Sequence, residues 1–292
     1  MRCACIDIGS NTTRLLVADR VAGGLSVCAQ DRAFTLIGRS LDASQTIPRA
    51  KLEEVCRTVV RQHSFALELG AEQVRCVATA AIRRAVNGAE LGRMLERLSS
   101  ALVLELLSAE QEARFAFIGA AAALGPGVHG GLAVVDLGGG SCELVIGEPP
   151  DRVRWWDSVA LGSSDVTERW LTGDPPAPQA IALAGRHARE LFATLQPPPA
   201  RRLVAVGGGA SSVATLAGGA VDIDGIDRIL LAMRGLTTAQ IAERHSIDIE
   251  RARLLPASLV LLRAVAELFA LPLEFGSGGL REGLLLDPGV HQ

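Results

Sequence analysis

The sequence predicts an α/β fold built from two similar domains that face each other across one cleft. Three observations carry this. Strands alternate with helices along the chain, a strand-turn-strand unit near the N-terminus recurs in the middle, and 292 residues suit two domains of ordinary size.

Residues 3–8 read as an apolar strand, 9–12 as a tight turn and 13–18 as its partner, with Gly23-Gly24 turning into a third strand over 25–29. Pro48 opens a helix in which Leu52, Val55, Val59 and Val60 recur at helical spacing, and Gly70 stops it. A strand over 74–78, a helix over 87–98, a strand over 102–107 and an alanine-rich helix over 109–123, ended by Gly125-Pro126, complete the first half. The pattern then restarts after Gly130-Gly131 with strands over 132–137, 143–146 and 153–159. A helix running to Leu195 lies between two proline-rich loops, followed by a strand over 203–206, a glycine loop at Gly207, Gly208 and Gly209, and helices over 238–245 and 257–269. A last strand over 273–275 leads through glycines into a short helix. The expected division is 1–113 for the first domain, with a C-terminal helix over 279–292 available to complete it, and 114–278 for the second.

The restart is a true repeat. Placing Asp7 over Asp136 aligns IDIGSNTTRLLV with VDLGGGSCELVI, so that the aspartate, the glycine two residues on, and a hydroxyl five residues after the aspartate (Thr12, Ser141) coincide. Each turn would present backbone N–H groups, a hydroxyl and an aspartate to one space, which suits a metal-phosphate pair. Glycine matters there because a missing side chain lets backbone approach an anion closely.

Composition narrows the function. The chain is 49% hydrophobic, yet no uncharged apolar run reaches the ~18 residues that a membrane span requires, and the N-terminus lacks a signal-peptide pattern, so a cytoplasmic address is expected. Six cysteines without CxxC spacing suggest reduced, buried fillers rather than zinc ligands. A net charge of -3 and the absence of tyrosine argue against nucleic acid as a partner. Any polyanion must be held locally, by glycine loops, helix N-termini and a few arginines.

The segments DIGSNTTRLL, ATAAIRRA, LLSAEQEAR, DLGGGSCELVIG, VGGGASS and SGGLREGLL occur in that order. Together they resemble the exopolyphosphatase/guanosine pentaphosphate phosphatase (Ppx/GppA) family, in its short two-domain form. The resemblance implies two actin-like ATPase (ribonuclease H-like) domains and Mg²⁺-dependent (or Mn²⁺-dependent) release of orthophosphate. The substrate would be the end of inorganic polyphosphate or the 5′ end of guanosine pentaphosphate. By motif, Glu112 would be the catalytic carboxylate, facing the cleft, and Asp136 and Glu143 would serve the metal. Asp7 would either match them from the other half or brace its turn. Ser10, Asn11, Thr12, Arg83, Gly138, Gly139, Gly140, Ser141, Gly208, Gly209 and Ser211 would hold phosphate, while Arg84 reads as a solvated surface charge.

The chain departs from the family pattern at Ala109, Gln111 and Cys142. Losing an acidic neighbour of Glu112 would bear on metal binding, activity and substrate choice. Two other classes stay open at this point: a non-catalytic sensor of polyphosphate or guanosine polyphosphate, and an ATPase or kinase of the same superfamily. A homodimer also stays open.

Overall fold

Two five-stranded sheets of the same topology form the frame. A computed structural model describes residues 1–287 except Asp42, Pro126, Val128 and His129, so residues 288–292 of the expected C-terminal helix and Pro126 of the expected helix stop lie outside the described residues. The first half comprises β1 (Arg2–Ile8), β2 (Thr13–Val21), β3 (Gly24–Ala33), α1 (Ile37–Ser40), α2 (Arg49–Glu68), β4 (Gln73–Ala78), α3 (Ala80–Arg84), α4 (Gly88–Leu98) and β5 (Leu104–Leu106). A central helix, α5 (Ala109–Leu124), leads into β6 (Leu132–Leu137), β7 (Cys142–Glu148), β8 (Arg152–Val159), α6 (Ser163–Trp170), α7 (Pro178–Phe192) and β9 (Arg202–Val206). Then follow α8 (Gly207–Ala217), α9 (Ile223–Ala232), α10 (Thr238–His245), α11 (Ile249–Phe269), β10 (Leu273–Phe275) and α12 (Leu280–Leu286).

Strand order is β3-β2-β1-β4-β5 in one sheet and β8-β7-β6-β9-β10 in the other. In both, the first three strands are antiparallel and the rest parallel. This is the expected pair of actin-like (ribonuclease H-like) domains, and the repeat seen in the sequence is a repeat of the fold.

Burial explains why α5 sits between the halves. One face of the first sheet packs on α2 and α4 through Ile6, Ile8, Leu52, Val59 and Leu91. Its other face, with Cys5, Leu16 and Val77, is covered by Phe115 and Ile118 of α5 and by Leu280, Leu284 and Leu285 of α12. The opposite side of α5, with Ala113, Ala116, Phe117 and Ala120, covers Val134, Val145 and Val204 of the second sheet. Helices α6 to α11 cover that sheet's far face. An alanine-rich helix fits here because both of its sides approach a sheet closely.

Several elements differ from the sequence expectation. Gly207, Gly208 and Gly209 are the first turn of α8 and not a loop, and α11 begins at Ile249, eight residues before the expected start. Asp248 is its cap, accepting from the Glu250 N–H at 2.9 Å, and Pro256 lies within the helix. Helices α1, α3, α6 and α9 had no counterpart in the reading of the pattern; three are short, and α9 announces itself only by its Asp222 cap. Among the described residues no helix is long and apolar enough to cross a membrane.

Candidate active site in the interdomain cleft

The two repeated turns close identically. Gly9 N–H donates to Thr12 O at 3.0 Å, and Gly138 N–H donates to Ser141 O at 3.1 Å. The third glycine segment opens α8, so its free N–H groups and the positive end of the helix dipole face the same space. Gly207 has φ +90°, and a Cβ there would overlap a carboxylate oxygen of Asp136. Only glycine lets this helix start against the aspartate. The three segments line a cleft of about 570 Å³.

Six carboxylates line that cleft, Asp7, Asp31, Glu112, Asp136, Glu143 and Glu282, and four of them, Asp7, Glu112, Asp136 and Glu143, are pushed toward the protonated form. Asp136 and Glu143 stand directly opposite each other on β6 and β7, whereas Asp7 stands opposite Arg14 on β1 and β2. Ser158 Oγ donates to Glu143 Oε1 at 2.9 Å. Burial, then the charge of Glu143, pushes Asp136 up to about 7. Burial and then Glu143 push Glu112 up to about 8, against the pull of Arg83. Burial raises Glu143 and Asp7 as well, and Asp7 Oδ1 is buried with no hydrogen-bond partner.

This crowding has a measurable consequence for the metal-free protein. Unfolded, Asp136 and Glu112 titrate near their ordinary 3.8 and 4.5; folded, they hold protons up to about 7 and 8. The native state therefore binds more protons between those limits, and stability falls as pH rises through the window. We expect the melting temperature of the chelator-treated protein to drop between about pH 5 and 8, and the drop to shrink with Mg²⁺ plus tripolyphosphate. A melting temperature that climbs over this range would show that the carboxylates are not crowded.

Most of the expected site residues meet here. Ser10, Asn11, Thr12, Gly138, Gly139, Gly140, Ser141, Gly208, Gly209 and Ser211 all line the cleft. Arg83 does not line the cleft. From α3 it donates to Leu107 O at 2.8 Å and pairs with Glu112, so it grips the carboxylate rather than opening onto the glycine turns. Arg84 is a partly exposed charge that also has fixed partners: it donates to Gly140 O at 3.3 Å, across the domain boundary. The Asn11 side chain is engaged too, accepting from Ser164 Oγ at 2.5 Å. Glu112 faces the cleft as expected yet is only 5% exposed.

The departures at Gln111 and Cys142 do not line the cleft. Gln111 caps α5, its side chain accepting from Ser108 N–H at 2.9 Å while its own N–H donates to Ser108 Oγ at 3.2 Å. Cys142 is buried in the core of the second half.

Sequence reasoning missed the arginines. Arg14, Arg32, Arg251 and Arg281 line the cleft, the first two from the first half, Arg251 from α11 and Arg281 from α12. Burial, then Arg281, brings Arg14 down to about 10, and its Nε donates to Thr12 Oγ1 at 3.0 Å. The repeat held the signal: Arg14 occupies in the first copy the place that Glu143 occupies in the second. At this one position the two copies thus carry opposite charge.

The Ppx/GppA phosphatase family matches residues 16–289. The chain belongs to that family. Exopolyphosphatase 2 of Mycobacterium tuberculosis is 36% identical over 200 residues, a match covering 65% of this chain and 61% of that protein, so the matched part spans under two thirds of that relative. Exopolyphosphatase 1 of the same organism is 27% identical over 307 residues, covering 98% of this chain and 88% of the relative. The crystal structure of the Aquifex aeolicus Ppx/GppA family member superposes with a TM-score of 0.82 at 27% identity, over 98% of this chain and 96% of that one. For this Ppx/GppA protein, then, the overall fold is family architecture.

Proposed function

We propose that the protein is a phosphohydrolase that releases terminal orthophosphate from inorganic polyphosphate, the 5′-phosphate of guanosine pentaphosphate, or both. The observation that carries this is the buried carboxylate of Glu112 set into a cleft whose other walls are anion-binding glycine turns. N–H groups of the turns and of the α8 N-terminus bind the terminal phosphoryl oxygens, with the hydroxyls of Ser10, Thr12 and Ser141 beside them. Arg14, Arg251 and Arg281 counter the charge of the remaining chain. Glu112, held by Arg83, orients the attacking water and takes its proton. A carboxylate whose affinity for protons is raised toward neutrality is suited to that task.

A divalent ion fits the residues present. Among the described residues no three Asp, Glu, His or Cys side chains form a ready cage. Mg²⁺ typically takes only one or two carboxylates and completes its shell with water and substrate phosphate. Asp136 and Glu143 would hold it, and the unpartnered oxygen of Asp7 lies in the same cleft. The ion, when bound, supplies charge neutralisation at the transferred phosphoryl group. The same reading sets the protein in the cytoplasm, acting on a soluble polyanion rather than on nucleic acid or a membrane.

Phosphate release with long polyphosphate, guanosine pentaphosphate and ATP, each with and without Mg²⁺, tests the proposal. Release from one of the first two is expected, with ATP poor and chelation silencing all activity. Tight binding of these anions without any turnover would instead favour a sensor. The capping role of Gln111 weighs against that outcome, since the departure that suggested a disabled site is structural.

A further inference from the structure

The two glycine turns touch along one side of the cleft. Ser164 Oγ, on α6, donates to Asn11 Oδ1, the Asn11 amide lies against Gly139, and Ser10 Oγ stands 2.6 Å from where a Cβ on Gly140 would be. Arg84 ends α3 and bridges to Gly140 O at 3.3 Å and to Asp165 Oδ1 at 3.6 Å. Asn11, Gly139 and Gly140 line the cleft, whereas the side chains of Arg84 and Asp165 are 31% and 22% exposed to solvent. These contacts therefore form a wall with the cleft on one face and bulk water on the other. The preceding residue, Arg83, holds Glu112 from the same short helix, so the wall and the base share one support.

We propose that this cross-domain wall, Asn11 with Ser164 and Arg84 with Gly140 and Asp165, is a stop that makes the cleft blind and admits only the end of a phosphate chain. The inference rests on the phosphohydrolase reading above. A phosphoryl group in the glycine cradle has the wall on one side, so its chain continues only toward the arginines. A phosphate in mid-chain carries a second continuing strand, for which the closed turns leave no path. In-line attack adds to this, because water must approach opposite the leaving chain, and Glu112 of α5 is held beside the wall by Arg83, the neighbour of Arg84 on α3.

Cyclic trimetaphosphate has no end and so reports on the wall directly. Opening it adds one water across one P–O–P bridge: the water oxygen bonds to phosphorus, the bridging oxygen leaves as the second new terminal oxygen, and the two protons pass to solvent. The product is linear tripolyphosphate, distinguished by ³¹P NMR. Wild-type protein with Mg²⁺ should release orthophosphate from linear tripolyphosphate and leave the ring intact. Ser164→Ala combined with Arg84→Gln should open the ring at a rate raised by about tenfold or more, the range a single pocket feature commands. Asp165→Asn, which can keep the α6 cap to Gly162 N–H, should move the same way by less. The inference is overturned if wild type opens the ring as readily as it cleaves the linear chain. It is equally overturned if the variants, folded by circular dichroism, leave the ring untouched whatever they do to linear substrate. Failure of wild type on linear chains would strike the phosphohydrolase reading instead.

Discussion

Replacing Glu112 by Gln should lower kcat by about 10² to 10⁴-fold, the span that a positioned general base typically commands. The amide keeps the shape and still accepts from Arg83, whose second bond to Leu107 O is untouched. What disappears is the site that takes the water's proton. KM should hold or fall, because a negative charge facing a polyanion has been removed. Stability offers the discriminating control. Burial and Glu143 raise the affinity of Glu112 for a proton, so its charge is not what holds the fold, and the neutral amide should melt at nearly the wild-type temperature. A variant with near-normal kcat, or one whose activity vanishes only in step with a large drop in melting temperature, would remove Glu112 from the mechanism.

Gly119→Ala should be strongly destabilising. Helices α5 and α12 cross with their backbones in contact: a Cβ at Gly119 would overlap the carbonyl oxygen of Gly279 and lie 2.8 Å from its carbon. Those atoms are main chain and cannot rotate aside. Overpacking of this kind typically costs 1–3 kcal/mol and occasionally more, so a loss of about 3 kcal/mol and a fall in melting temperature of roughly 6 to 12 °C are expected. Activity should suffer too, since Gly119 and Glu112 lie seven residues apart on one face of α5, and a shifted helix moves the base. Gly185→Ala in α7 is the control. Nothing lies within 4 Å of its added methyl, so the better helix former should stabilise by roughly 0.5–1 kcal/mol. Equal melting temperatures for the two variants would contradict the close crossing.

Periodic and repeated features of this chain were legible in its sequence. The strand-turn-strand copies at Asp7 and Asp136 foretold two matching sheets, and Glu112, Asp136 and Glu143 do converge. The reading failed where local pattern and tertiary context part. Three glycines argue for a loop by propensity, yet the glycines of α8 open a helix because Asp136 and Leu137 leave no room for a side chain at Gly207 and Gly209. The helix expected over 257–269 in fact starts at Ile249, because Asp248 caps α11 and Pro256 lies inside it. Arg83 and Arg84 are neighbours whose partners lie 24 to 81 residues away, so nothing local says which one meets a carboxylate and which one crosses the boundary. Asn11 matched a phosphate-binding turn, but only the fold shows Ser164 waiting opposite it.

The packing of α12 also sets an order of assembly. Leu280, Leu284 and Leu285 cover Cys5, Leu16 and Val77, which belong to strands made some 200 to 280 residues earlier. A chain emerging from the ribosome can form the first sheet and seat α2 and α4 on one face of it. Its other face keeps an apolar gap until the last helix has been synthesised, and domains are made N-terminal first at ≈ 5–20 residues per second. For many seconds, then, the nascent first half exposes a stripe of leucine, valine and cysteine that α12 later covers.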